Sequence, residues 1–197
     1  MFIAGLGYII RVTFDIPDWL EKILIFTLLL YRRLRYGYPF RRISLTKGKF
    51  AIVDPNDFDR LNAHRWHVTK NGGTFYAKRN APTRKVTTPI YMHRYIIKPR
   101  PGMLVDHINH NGLDNRKANL RLATRAQNSR HSKKRKNTRS KYKGVSWYSR
   151  EKRFVAKITT DGKTETLGYF ENETDAAKAY DKAARKYHGD FACLNFE

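Results

Sequence analysis

Val105-Asp106-His107-Ile108-Asn109-His110-Asn111-Gly112, continued through Asn115, Asn119 and Asn128, is the stretch on which the reading of this chain turns. Met103 to Ile108 reads as a strand, and Asn109-His110-Asn111-Gly112 opens a polar loop. Leu120-Arg121-Leu122-Ala123 reads as a short return strand. Thr124 is placed to cap a helix running through Asn128 toward Lys134. A strand, loop, strand and helix thus carry an Asp-His pair followed by asparagines.

That combination has a chemistry. Hydrolysing a phosphodiester needs a deprotonated, aligned water, neutralised phosphate oxygens and a stabilised leaving oxygen. Histidine titrates near neutrality, so His107 suits a general base. Asp106 offers a hard anionic oxygen for Mg²⁺ or Mn²⁺, and Asn128 a neutral amide oxygen. Asn119 can hold the imidazole in one tautomer. Neighbours on a regular strand point to opposite faces, so cooperation of Asp106 with His107 requires irregular backbone or a site at the strand's end. In isolation the pair also fits a polar turn held by local hydrogen bonds.

Composition supplies the partner. The chain has 197 residues, 40 Lys+Arg against 17 Asp+Glu, and a net charge of +23. A field of that size attracts nucleic acid or an anionic membrane. One cysteine, Cys193, excludes an internal disulfide and paired-cysteine zinc ribbons. It fits a reducing compartment, and a cytoplasmic location is expected, in a bacterial or phage-infected cell.

The first forty residues stand apart. Met1 to Phe14 and Ile23 to Tyr31 are apolar, separated by Asp15, Asp18, Glu21 and Lys22. Neither reaches the roughly 18 apolar residues of a spanning helix, and a basic cluster follows rather than precedes them, unlike a secretory signal. The segment is a surface or membrane-contacting amphipathic helix, a helix docked on the protein, or an extension from a misassigned start. From about Arg42 strands are expected at Ile43–Thr46 and Lys49–Val53 around Lys47-Gly48. A short helix follows Asp54-Pro55, and a hairpin turns at Asn71-Gly72. Thr87 to Ile97 alternates as a further strand.

The run VDHINHNGLDNRKANLRLATRAQNSRH resembles the HNH endonucleases, in the homing-type branch with asparagine at the second and third motif positions. The likeness spans about Met92 to His131. It implies His107 as general base, Asp106 and Asn128 as metal ligands, and Asn119 as a supporting residue. His131 is the substitute ligand on the same helix. Asn115 and His110 are loop candidates, and His93 helps shape the site. Such genes belong to phages or mobile elements.

Beyond a basic stretch at 132–141 lies a second unit. Tyr142–Tyr148, Arg153–Thr159 and Thr164–Phe170 read as strands, with a turn at Asp161-Gly162. Thr174 is placed to cap a helix burying Ala176, Ala177, Tyr180, Ala183, Ala184 and Tyr187, with Gly189 as its stop. Ser140-Lys-Tyr-Lys-Gly-Val145, Phe154-Val-Ala-Lys-Ile158, Leu167-Gly-Tyr-Phe170, Ala176-Ala-Lys-Ala-Tyr180 and Leu194-Asn-Phe196 resemble the plant Apetala/ethylene-response-factor DNA-binding domain. That likeness implies a sheet facing DNA through Lys143, Ser146, Tyr148, Arg150, Lys157, Thr159, Thr164 and Thr166. Arg135 and Arg139 in the basic arm would follow the backbone.

The expected fold class is α+β. After the 1–40 extension comes the HNH nuclease domain (41–131, motif core 92–131), a ββα-metal unit preceded by a small β-rich region. A three-stranded antiparallel sheet plus helix (142–197) follows the linker. The expected partner is double-stranded DNA, with no protein partner implied and membrane contact confined to residues 1–40. The competing reading is a non-catalytic DNA-binding regulator with a degenerate nuclease fold.

Overall fold

The computed structural model describes residues 16–81, 88–134 and 139–196. Asp18–Tyr36 form helix α1, with Asp18 and Glu21 in the first turn, Arg33 and Arg35 in the last, and Gly37 in the left-handed region at its end. This charge order suits the helix dipole. None of its side chains is buried, and Trp19, Phe26 and Leu34 are exposed. No described helix is long and apolar enough to cross a membrane. Arg32 ties the helix end to the body, donating to the Phe40 carbonyl and stacking on the Phe40 ring.

Strands β1 (Arg41–Ser44) and β2 (Phe50–Val53) form an antiparallel hairpin, with the expected Lys47-Gly48 turn at positive φ. Ile43, Ala51 and Val53 face inward. A single 3-10 turn leads into α2 (Phe58–Asn62), which buries Leu61. β3 (His67–Asn71) and β4 (Thr74–Asn80) pair around Gly72-Gly73, both at positive φ, so the turn sits one residue beyond Asn71-Gly72.

The strand expected over Thr87 to Ile97 is a correction. Thr87 lies outside the described residues, β5 covers only Pro89–Tyr91, and Met92–Ile97 is a helix, α3. Met92, His93 and Ile96 are its buried side chains, a spacing that closes one helical face and not a strand face. Together with Val105 and Leu120, Met92 and Ile96 join the hairpins in one apolar core around Trp66, whose indole donates to the Leu61 carbonyl.

β6 (Leu104–His107) and β7 (Leu120–Ala123) pair antiparallel, matching Asp106 with Arg121 and His107 with Leu120. Thr124 then caps α4 (Arg125–His131) through a full capping box with Gln127.

In the C-terminal module β8 (Val145–Tyr148), β9 (Arg153–Thr160) and β10 (Lys163–Phe170) form an antiparallel sheet ordered β10-β9-β8. Helix α5 (Glu173–His188) covers one face, packing alanines on Val145, Ala156 and Ile158. Its N-cap is Asn172 rather than Thr174, with Glu173 and Asp175 already in the first turn. Tyr187 is 42% exposed; His188 and Asp181 occupy the buried stripe instead. The Asp181 carboxylate accepts from the backbone of Asn195 and Phe196 and so fixes the tail across the helix. Gly144 is required where it stands: at φ +74° its Cβ would lie 1.9 Å from the Tyr180 ring.

Candidate active site

The loop between β6 and β7 is built from its asparagines and one aspartate. Asn109 donates to Asp114, and its own side chain accepts from the Asn111 backbone. Asn119 accepts from the Asn109 N–H and donates to the Asp114 carbonyl. Arg116 grips Asp114 with Nε and Nη2 at 2.8 and 2.7 Å and lies over the Tyr38 ring. The loop is anchored to β2 by Ile52 N to Leu113 O and Asn115 N to Ile52 O, and by Lys117 N to the Asp54 carboxylate. Gly112 lies so close to β4 that a Cβ would meet the Phe75 carbonyl at 2.5 Å. Asn119 therefore braces the loop. It is not the hydrogen-bond partner of the imidazole that sequence reasoning made it.

Asp106 and His107 take opposite faces of β6, as strand geometry dictates. The Asp106 carboxylate is buried at 8% exposure. His131 Nδ1 stands between its oxygens, 3.0 Å from Oδ1 and 2.9 Å from Oδ2. Arg121 donates Nε to Oδ2 at 2.9 Å, with Nη2 2.8 Å from the same oxygen. Burial works to raise the pKa of Asp106. The hydrogen bonds and charges of His131 and Arg121 outweigh it, and the carboxyl is held below its ordinary value. The substitute residue His131 is thus a direct partner of Asp106. The His110 ring stacks on His131 at 4.0 Å, and burial and neighbouring cations lower His110 to about 4.

His107 is 6% exposed, and its Nε2 has no hydrogen-bond partner among the described residues. Around it stand Tyr76, His93 and Asn115; the His93 ring meets it edge-on at 5.0 Å. Burial lowers the His107 pKa, opposed by the adjacent Asn115 amide and the charges of Asp106 and Asp114. Neither Asn115 amide atom reaches full hydrogen-bond geometry, although the residue is 1% exposed. His93 is lowered to about 3, first by burial and then by His107 and Arg94. Both rings are neutral at neutral pH, so His107 can accept a proton.

A cleft of about 270 Å³ opens beside them, lined by Tyr76, Tyr91, His93, Arg94, Val105 and Asn128 among others. Leu104 and Val105 of β6 contribute to its wall. Asn128 projects from α4 one turn before His131, and its carboxamide forms no hydrogen bond to a described residue. Among the described residues no three His, Cys, Asp or Glu side chains cluster to hold a metal. A divalent cation here would draw on the Asp106 carboxylate and the Asn128 amide oxygen, both hard oxygen donors. The Asp106 oxygen not taken by Arg121 retains lone pairs for it.

The outer face of the C-terminal sheet, opposite α5, carries Ser146, Tyr148, Lys157, Thr159, Thr164 and Thr166, cross-paired as Lys157 with Thr166 and Thr159 with Thr164. Arg153 and Tyr169 share that face and were missed; both follow from strand alternation once the register is known. Lys143 is a correction. Its ammonium, expected on the DNA-facing surface, donates instead to the Arg130 and Ser132 carbonyls at the end of α4. Arg150 lies in the turn between β8 and β9, off the strand face. Arg139 is exposed and lies over the Trp147 ring; Arg135 falls outside the described residues. Arg121 was also missed, although its place opposite Asp106 in a hairpin makes an opposite-charge cross-strand pair.

Comparison with known proteins bears on the same stretch of chain. A family model described as HNH endonuclease matches residues 98–130. An uncharacterized HNH endonuclease of Acanthamoeba polyphaga mimivirus is 32% identical over 162 residues, covering 79% of this chain and 80% of that protein. Protein 3.8 of Escherichia phage T7 is 33% identical over 91 residues, 46% of this chain and 74% of its own length. APETALA2-like protein 2 of rice is 44% identical over 57 residues, 29% of this chain and 13% of the plant protein. With the mimivirus protein aligned along most of both chains, and the family model lying on the β6–loop–β7–α4 unit, this chain belongs to the HNH endonuclease family.

Proposed function

We propose that the chain is a site-specific, metal-dependent DNA endonuclease of the homing type, targeted by its C-terminal module. The observation that carries this is a buried, neutral His107 with an unpartnered Nε2 beside Asp106, a carboxylate kept ionised by Arg121 and His131. An imidazole nitrogen buried without a partner is costly to stability, and a general base needs a ring nitrogen not already committed to a hydrogen bond.

In this reading His107 takes a proton from the attacking water. Asn115 and the Asp106 and Asp114 charges favour the imidazolium that forms. Asp106 and Asn128 hold the divalent cation, with His131 backing the carboxylate. The bound cation supplies Lewis-acid neutralisation of phosphate charge and of the leaving oxygen. Arg94, lining the same cleft, draws the phosphodiester in. The outer sheet face of the C-terminal module, with Arg153 and Lys157, grips the duplex and raises the local concentration of target at the cleft. The plant likeness of this module and its sheet-and-helix form support that assignment. A phage or other mobile element is the fitting origin, in keeping with relatives from a virus and a phage.

The test is incubation of full-length protein with DNA carrying the gene's own flanks, with Mg²⁺, with EDTA, and with His107→Ala. Cleavage that needs metal and is lost in the variant supports the reading. DNA binding with no cleavage of any flanking sequence favours the non-catalytic regulator.

A further inference from the structure

Arg121 touches two parts of the molecule that a tethered-module view treats as independent. On one side its Nε and Nη2 engage Asp106 Oδ2. On the other, Nη1 donates to the Asp190 carbonyl at 2.6 Å, and the guanidinium lies 3.9 Å from the centroid of the Phe191 ring. Asp190 and Phe191 belong to the single 3-10 turn Gly189–Phe191 that ends α5. Phe191 belongs to neither apolar cluster of the C-terminal module, so the stack on Arg121 accounts for its place where module packing does not. Elsewhere the C-terminal module is held to α4 by Lys143, which donates to the Arg130 and Ser132 carbonyls, and by Asp161, paired with Arg130 at 2.9 Å.

Guanidinium groups favour two-point contact with carboxylates, taking both oxygens. Here the Asp190 carbonyl and the Phe191 ring hold the fork so that it takes Oδ2 alone. Oδ1 keeps only the shared contact from His131. We infer that Arg121 is a positioning residue and that the Gly189–Phe191 turn is its clamp. Docking of the C-terminal module keeps one oxygen of Asp106 open to a divalent cation. The C-terminal module is then part of the active site as well as a means of targeting. Released from the clamp, Arg121 either closes over both oxygens or leaves the carboxylate unoriented, and either weakens metal binding. This inference rests on the metal-site reading above.

Full-length wild type, Phe191→Ala, Phe191→Tyr and Arg121→Gln would be titrated with Mn²⁺ alone and followed by electron paramagnetic resonance. Tyr187→Ala, an exposed change on α5, is the control. Circular dichroism would verify folding. Outer-shell partners of metal ligands typically change affinity by roughly 10- to 100-fold. Phe191→Ala and Arg121→Gln should therefore each bind Mn²⁺ at least about tenfold more weakly, while Phe191→Tyr and Tyr187→Ala bind as wild type. DNA affinity in EDTA should be unchanged in Phe191→Ala, with the loss in kcat. If Phe191→Ala fails to fold, Arg121→Gln decides alone. Wild-type Mn²⁺ affinity in the folded variants would overturn the clamp, even with cleavage intact and still lost in His107→Ala. Weakened Mn²⁺ binding in a chain that cuts no DNA would uphold the clamp and sink the endonuclease. A wild type that binds no Mn²⁺ would overturn both.

Discussion

At the residue scale, two neighbouring side chains on one strand are given opposite tasks by their surroundings. Asp106 is held ionised by donors on α4 and β7, and His107 is held neutral by burial. His107→Ala should reduce cleavage by roughly 10²- to 10⁴-fold, the usual worth of a positioned base, and leave DNA affinity in EDTA unchanged. Because burial puts the His107 pKa below 6.5, the acid limb of the rate profile should have its midpoint below that value, with full activity at neutrality. His93 adds a stability consequence. Its folded pKa of about 3 lies below the unfolded 6.5, so the two states bind protons equally above 6.5. Below it the unfolded state binds more, and stability falls as pH drops from 6.5 toward 3. Denaturant midpoints across that range should decline for wild type and decline less for His93→Gln.

At the element scale, the site depends on a loop whose shape is set by side chain–backbone hydrogen bonds and one close approach. Gly112→Ala forces a methyl against the Phe75 carbonyl and should cost about 1–3 kcal/mol, the range for overpacking. Thr124→Ala removes the capping box of α4 and should cost about 1 kcal/mol, read as a lower thermal midpoint. The β6–loop–β7–α4 unit was legible in the sequence because its signals are local: an apolar run, an Asn- and Gly-rich turn, and a threonine placed to cap the helix. Helix α3 was not. His93 and Arg94 interrupt its apolar residues, and so short a segment supports alternation as well as helical spacing until the core shows which side chains it buries. The role of Asn119 was hidden for a related reason, since what it holds, Asn109 and Asp114, is settled by the folded loop. Lys143 was misread because the carbonyls at the end of α4 are a partner only the tertiary fold supplies.

At the scale of the whole molecule, the excess of cationic side chains and a polar sheet face combine into one prediction about DNA. Binding should weaken steeply with salt, and Arg153→Ala and Lys157→Ala should each lower the salt slope by about 1 if they contact phosphate, as measured by fluorescence anisotropy. The contacts through Arg121, Arg130 and Lys143 join the C-terminal module to the β6–loop–β7–α4 unit. None of those bridging contacts could be read from either half of the sequence alone.

The most direct test of the central claim is cleavage of supercoiled plasmid carrying the gene's own flanking DNA, with wild type and His107→Ala compared in Mg²⁺ and in EDTA. Metal-dependent nicking or linearisation by wild type, absent from the variant that still binds the plasmid, is the predicted result. Equal cleavage by the two proteins would contradict the assignment of His107 as the base and with it the account of the site.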